Sequence, residues 1–305
     1  MLDSLLRGIL TSSIVSGTSL LYATVGEVIV QRAGIVNLGL EGAMLLGASV
    51  GFATTYETKN PFLGLLAAAL AAGVFNLVFG FLVVTRRANQ PASGLTMMFL
   101  GAGLSALIGK AYVGKPINGL NKMPIPELAQ LPWIGSIFFN HDILVYLAVP
   151  IAIFVWWLLF RTRWGLSVRA VGESPTTAFA AGRNPGWLQY QALFLGGLLA
   201  GLAGAHLSMA YALNWSEGMT AGRGFIAIAL VIFSKWHPLW AIAGALLFGG
   251  TVAMQLQLQA GGIDVSPFLM NMIPYVLTIV VLMIWGGRRR YAAPAGLGKI
   301  YSGTE

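Results

Sequence analysis

The sequence predicts an all-α, polytopic membrane protein of about eight to ten transmembrane helices, one or more of them broken. Three observations carry that reading. Of 305 residues, 57% are hydrophobic and only 9% charged, against roughly 25% charged in soluble domains. Apolar runs of about twenty residues, the length that crosses a bilayer core, recur along most of the chain. Lysine and arginine gather at the ends of those runs rather than on a solvated face, as membrane topology demands.

In chain order the spans fall at about 8–26, 33–55, 62–84, 91–113, 143–160, 188–213, 222–234, 239–257 and 269–286. The first lacks a basic leading region and a small-residue cleavage site, so it reads as a retained span and not a signal peptide. The second is interrupted by Gly34, Gly39, Gly42 and Gly47 and holds Asn37 and Glu41, with no other charge between Ala33 and Tyr56. The fourth opens on the polar pair Ser93 and Thr96. The connection 114–142 contains Pro116, Pro124, Pro126 and Pro132, with Trp133 and Phe138 as interface aromatics, and should pack on the outer rim. In 161–187, the stretch "SPTTAFAAGRNP" puts Ser174 before Pro175 and stops at Gly182 and Pro185, which predicts a short surface helix. The seventh run is short. Residues 1–290 form one transmembrane domain and 291–305 a tail.

Sidedness follows from charge. If 27–32, 85–90, 161–187, 235–238 and 287–305 face the cytoplasm, they carry twelve of the eighteen Lys/Arg, including Arg86, Arg87, Arg161, Arg163, Arg169, Arg183 and the Arg288–Arg290 run. That asymmetry is the positive-inside pattern and puts the C-terminus in the cytoplasm.

Composition and motifs exclude several chemistries. With no cysteine, disulfides, thiol catalysis and cysteine-ligated metals are absent. The net charge of +8 is topological, not a nucleic-acid footprint. "GLSALIGKA", from Gly103 to Ala111, imitates a phosphate loop, but five residues separate its glycines and Ala111 stands where a hydroxyl would hold magnesium. Gly101 and Gly103 read instead as small residues for close helix packing. His141, His206 and His237 lack ligand spacing, so neither a metal site nor a catalytic one assembles.

Two features do suggest function. A lone intramembrane acid faces protein interior or a hydrated cavity, and irregular backbone at membrane depth is tolerated only there. Asn37 and Glu41 are therefore read as polar members of a glycine-broken segment at or beside a solute pathway, with Glu41 supporting the break more than touching solute. The second is the small-residue insert Ala178, Ala180, Ala181 and Gly182, which suits docking into a partner's groove.

The stretches "QRAGIVNLGLEGAMLLGA", "RTRWGLSVRAVGESPTTAFAAG" and "EGMTAGRGFIAIALVIFSKWHPLWAIAGALLFG" together resemble the membrane permease of bacterial ABC importers. The subfamily is that of ribose, simple-sugar, branched-chain amino acid and nucleoside permeases, and the resemblance is nearest to the shorter permease of the nucleoside-type pair. It runs from about Gly26 to Arg288. It departs at Gln31, where an acidic residue is common, and at Arg183, where an aliphatic one is usual. The resemblance implies a bacterial inner-membrane permease for nucleosides or, alternatively, simple sugars, without an ATPase site or cofactor of its own. ATP and Mg belong to a separate ATP-binding cassette protein. A second homologous permease subunit and an extracytoplasmic substrate-binding protein complete the implied assembly in the lipid bilayer.

Residue by residue, the resemblance implies a pathway lined by Asn37, Glu41, Ser93, Thr96, Met97 and Phe225. It also implies an ATPase-coupling segment of Arg169, Gly172, Glu173, Ser174, Thr177, Ala178, Ala181 and Gly182. An inverted repeat is implied as well, for which "AGIVNLGLEGAMLLG" and "AGRGFIAIALVIFS" are candidate halves. A self-sufficient ion-coupled transporter would instead use paired intramembrane ionisable groups, whereas Glu41 stands alone in the sequence.

Overall fold

A computed structural model of the chain describes residues 2–131, 134–260 and 293–299, with 269, 272, 273, 276, 279, 280 and 283 between the last two. Helix α1 (Leu2–Arg32) continues through 27–32, the segment expected to be a loop. Val28, Ile29 and Val30 are buried, and so are Glu27 and Gln31, so the helix keeps burying apolar surface to its last turn. It stops where Arg32 donates to the carbonyls of Trp236 and Lys235 and Gly34 takes φ +87°.

The break expected within 33–55 lies wholly before helix α2 (Leu40–Thr58). Gly42 and Gly47 do not break it. They sit inside the helix, Gly42 against the backbone of Met97 and Met98 and Gly47 against Gly201. Helix α3 (Pro61–Gly80) starts on an Asn60 cap and ends in a π-helical turn, Phe81–Thr85. Helix α4 (Gln90–Gly109) starts on an Asn89 cap. Gly101 meets Gly42 closely, as its packing role requires, but a side chain at Gly103 would meet nothing within 4 Å.

The connection to the next span packs against the bundle: Leu120 N donates to Met209 O at 2.8 Å. It holds two-residue strands β1 (Met123–Pro124) and β2 (Asn140–His141), paired antiparallel, and helix α5 (Ile134–Phe138). Strands this short have no periodicity to read. Pro132 and Trp133 lie outside the described residues.

Helix α6 (Ile143–Arg161) leads into amphipathic α7 (Arg163–Glu173) and the short α8 (Pro175–Ala180). Helix α9 (Pro185–His206) runs on into a second π turn, Leu207–Tyr211. It packs antiparallel to α3, with Gly201 against Ala68, Gly73 against Phe194 and Gly80 against Tyr190. Against α2 it comes closer still: an added Cβ at Gly204 would collide with Met44 O.

Helix α10 (Arg223–Phe233) corrects the reading of 222–234 as a crossing. Its 11 residues span about 16 Å at 1.5 Å each, roughly half a bilayer core. Helix α11 (Pro238–Ala260) packs on α1, Gly249 against Gly17. Among the described residues, five helices are long and apolar enough to cross a membrane, and two shorter apolar ones accompany them. The span at 269–286 and the Arg288–Arg290 run lie mostly outside the described residues.

The segments assigned to one membrane side by charge do meet. Arg32 reaches 235–236 and its guanidinium lies 5.5 Å from the Phe160 ring. Gly296 N donates to Gly172 O and Gly298 N to Gly34 O, while Val36 N donates to Gln90 Oε1. The chain therefore has one basic end.

Candidate functional site

The site starts from two helix beginnings. Helix α2 begins behind Gly39, whose N–H donates to Asn37 Oδ1 at 2.9 Å. Helix α10 begins behind Gly222, in the left-handed conformation at φ +79°, with no cap from its own neighbours. The first N–H groups of a helix need an acceptor. Glu41 supplies it from across the fold. Its Oε1 accepts from Thr220 Oγ1 at 2.6 Å and Gly222 N at 2.8 Å, and its Oε2 accepts from Gly224 N at 2.6 Å. Because Glu41 also lies in the first turn of α2, one carboxylate stands at the positive end of two helix dipoles, where a negative charge is most favoured. It is 7% exposed. The chemistry of this arrangement is positional: Glu41 holds the start of the short helix α10.

Glu41 is not alone in three dimensions. Arg223 donates to Ser19 Oγ at 3.2 Å, with its guanidinium 5.2 Å from the Tyr211 ring. Glu27, counted with a loop in the sequence reading, is buried in α1. Its Oε1 accepts from Gln31 Nε2 at 2.9 Å and Asn37 N at 3.4 Å, and its Oε2 has no partner. Gln31 Oε1 in turn accepts from Trp236 Nε1 at 2.7 Å. The two buried acids draw these bonds from neutral donors. Among the described residues no group of three metal-ligating side chains forms.

The sequence-derived residues separate into two sets. Asn37 is internal: its Nδ2 donates to Asn76 Oδ1 at 3.5 Å, and Asn76 Nδ2 passes the network on to Leu193 O. Met97 is buried, with Gly39 and Gly42 against it. Ser93 is half-buried and Thr96 exposed, its hydroxyl returned to Ala92 O of its own helix. Phe225 is 38% exposed. Met97 of α4 and Gly224 of α10 meet successive residues of α2, Gly42 and Glu41, so the first turn of α2 is the point from which both flanking helices are set.

At the basic end, Ser174 caps α8 by accepting from Thr177 N, and Gly182 closes it at φ +76°, as the sequence signals require. Several residues expected to dock a partner are used within the chain. Arg169 donates to Leu159 O and lies 4.9 Å from the Phe160 ring. Gly172 has Arg32 O directly against it, and Ala178 is buried. Glu173 is exposed, with Oε2 accepting from Ala295 N at 3.0 Å. Thr177, Ala181, Gly182 and Arg183 remain exposed. Nearby, burial and the Arg32 guanidinium hold the His237 imidazole below its ordinary range, so it is neutral near pH 7. Of the functional groups the sequence reading passed over, Thr220, Gly222 and Gly224 had a signal: "GMTAGRG" is a helix start without an acid of its own.

Comparison with known proteins adds an independent line. Residues 8–282 match the family described as branched-chain amino acid transport system / permease component. The chain is 38% identical, over 98% of both proteins, to TsgC13 of Haloferax volcanii, which bears a provisional name as a glucose ABC transporter permease protein. It is 34% identical to the guanosine ABC transporter permease protein NupQ of Bacillus subtilis, over 92% of each chain. It is also 34% identical to the nucleoside ABC transporter permease protein NupC of Lactococcus lactis, over 93% of each. The names divide between sugar and nucleoside, which is broader than the shorter nucleoside-type subunit to which the sequence reading pointed. No solved structure matches this chain.

Proposed function

The chain belongs to this permease family of ABC importers, and from that premise we propose that it carries solutes built on a polyhydroxylated ring, simple sugars first. It is a multi-pass, non-catalytic transport subunit for a small polar solute. The observation that carries the sugar reading is the 38% identity, end to end, with the glucose-named relative. Nucleosides are the second reading, favoured by the two relatives at 34%. Nucleosides carry a hydroxylated ribose and simple sugars are themselves polyhydroxylated rings, so one polar pathway could accept both.

In this reading the basic end faces the cytoplasm, since it gathers Arg32, Arg86, Arg87, Arg161, Arg163, Arg169 and Arg183. Helix α8 and the residues after it dock an ATP-binding cassette protein through Thr177, Ala181, Gly182 and Arg183. A second permease subunit covers the surface that carries Ser93, Thr96 and Phe225, and the solute passes between the two. A substrate-binding protein delivers the solute on the other side. Helices α2 and α10 each start behind a glycine turn and converge on Glu41, which is what the two halves of an inverted repeat would do. ATP-driven closure of the cassettes would tilt α7 and α8, and the Glu41 clasp would keep α10 registered on α2 while the flanking helices move.

The test is uptake by the reconstituted importer with labelled glucose and labelled guanosine in parallel. ATP-dependent accumulation of glucose supports the first reading, and of guanosine alone the second. Accumulation by this single chain, driven only by a proton or sodium gradient, would overturn the permease reading altogether.

A further inference from the structure

We propose that the seam between α3 and α9 is a binding site for one anionic phospholipid, its head group at Arg87 and Lys299 and an acyl chain against Leu77, Trp187 and Phe194. Two cavities lie end to end along that seam. The first, about 230 Å³, opens at the basic end and is lined by Thr85, Arg87, Gly186 and Lys299 among others, with no acidic residue in its wall. The second, about 370 Å³, is lined by Leu77, Trp187, Tyr190, Gln191 and Phe194. Their linings adjoin. Gly186 of the first precedes Trp187 of the second, and Tyr190 of the second bonds Thr85 of the first, oxygen to oxygen, at 2.6 Å.

The chemistry changes along this line as a phospholipid does. Arg87 and Lys299 are both exposed, at the membrane end where anionic head groups attract basic side chains. Trp187, 63% exposed, is two residues into α9 from the basic end, and indole rings favour the membrane interface. Beyond it the groove is apolar, and hydrocarbon fills such a surface without leaving a polar group unpaired. A free phosphate would satisfy the cations but leave the groove uncovered, and a neutral lipid would fill the groove but leave the cations unmatched. Phe179 of α8 also lines the first cavity, so a bound head group would touch the element read above as the ATPase dock.

Native mass spectrometry of the full chain, purified with its co-assembling subunits, tests this with phosphatidylglycerol and phosphatidylcholine as probes. The wild type should retain phosphatidylglycerol about tenfold better than phosphatidylcholine, and Arg87→Ala with Lys299→Ala should erase that preference. Trp187→Ser should lower retention of both lipids. Equal retention of the two lipids by the wild type, or an unchanged preference in the double variant, overturns the proposal. So does displacement of the bound lipid by millimolar inorganic phosphate, which would make the cleft a free-anion site. Because the chain has no cysteine, Phe194→Cys gives a single label. Its stoichiometric cross-linking to another protein in native membranes would mean that a protein, not a lipid, fills the seam.

Discussion

The clasp around Glu41 and the α7–α8 end both looked, in sequence, like small residues interrupted by one acid. The structure uses them in opposite ways. At the clasp both oxygens of one carboxylate are matched: three donors at 2.6–2.8 Å converge on Glu41, and the surrounding helices approach so closely that Gly204 and Gly224 have backbone where a methyl would go. At the other end the inward residues are matched in the same way, Gly172 on Arg32 and Arg169 on Leu159, but Ala181, Gly182 and Arg183 stand exposed. Small residues therefore mean two things in this chain. Inside, they let backbones touch. At the basic end, they leave a surface on which something else can rest.

The sharpest way to break that contrast is to fill the interior. Gly204→Leu would drive carbon into Met44 O, an overpacking cost of about 3 kcal/mol or more. The prediction is near-complete loss of folded protein, read as membrane abundance and detergent-soluble monodispersity. Normal abundance would mean that α2 and α9 separate more easily than their contact suggests.

Next in size is Glu41→Leu, which strands three donors at roughly 1–3 kcal/mol each, offset in part because no charge is left buried. Uptake should fall about tenfold or more per molecule inserted, with abundance falling less. Glu41→Gln should sit between Glu41→Leu and the wild type. Its amide has one oxygen for two backbone N–H groups, so its NH₂ must face Gly222 or Gly224. Uptake by the Gln variant equal to wild type would show that the clasp tolerates one lost acceptor.

A third pair separates inward from outward at the basic end. Gly172→Trp should lower abundance, since Arg32 O is already against the glycine. Ala181→Trp should keep abundance and lower ATPase co-purification about fivefold or more, the packing there having no spare volume once a partner is docked. Equal coupling in the Ala181 variant would move the dock to another surface. The smallest expected effect is Gly103→Ala, within about 0.5 kcal/mol of wild type, because an added methyl meets nothing within 4 Å. A measurable loss of assembly would identify a partner helix lying on that glycine.

Much of this was legible locally. Hydropathy and run length determined the membrane class, because a helix with no charge over twenty residues has no stable place in water. Ser174 with Pro175, and Gly182 after Ala181, determined a short helix at 175–180, because caps and left-handed glycines are set by neighbouring backbone alone. The placement of arginine at run ends determined which connections share a side.

Other features were decided only when the chain folded. The acid of residue 41 meets the donors of residues 220, 222 and 224 across some 180 residues of sequence, and no local pattern states that distance. Glu27 read as a loop residue because it precedes Arg32, yet the helix carries on and buries it. Arg169 and Gly172 share a motif with Ala181 but point into the chain, because α7 presents one face to α6 and the end of α1. Residue type fixes what a side chain can bond. Which partner it finds depends on where the backbone brings the two together, and in a fold packed at glycine contacts that is set by the whole bundle at once.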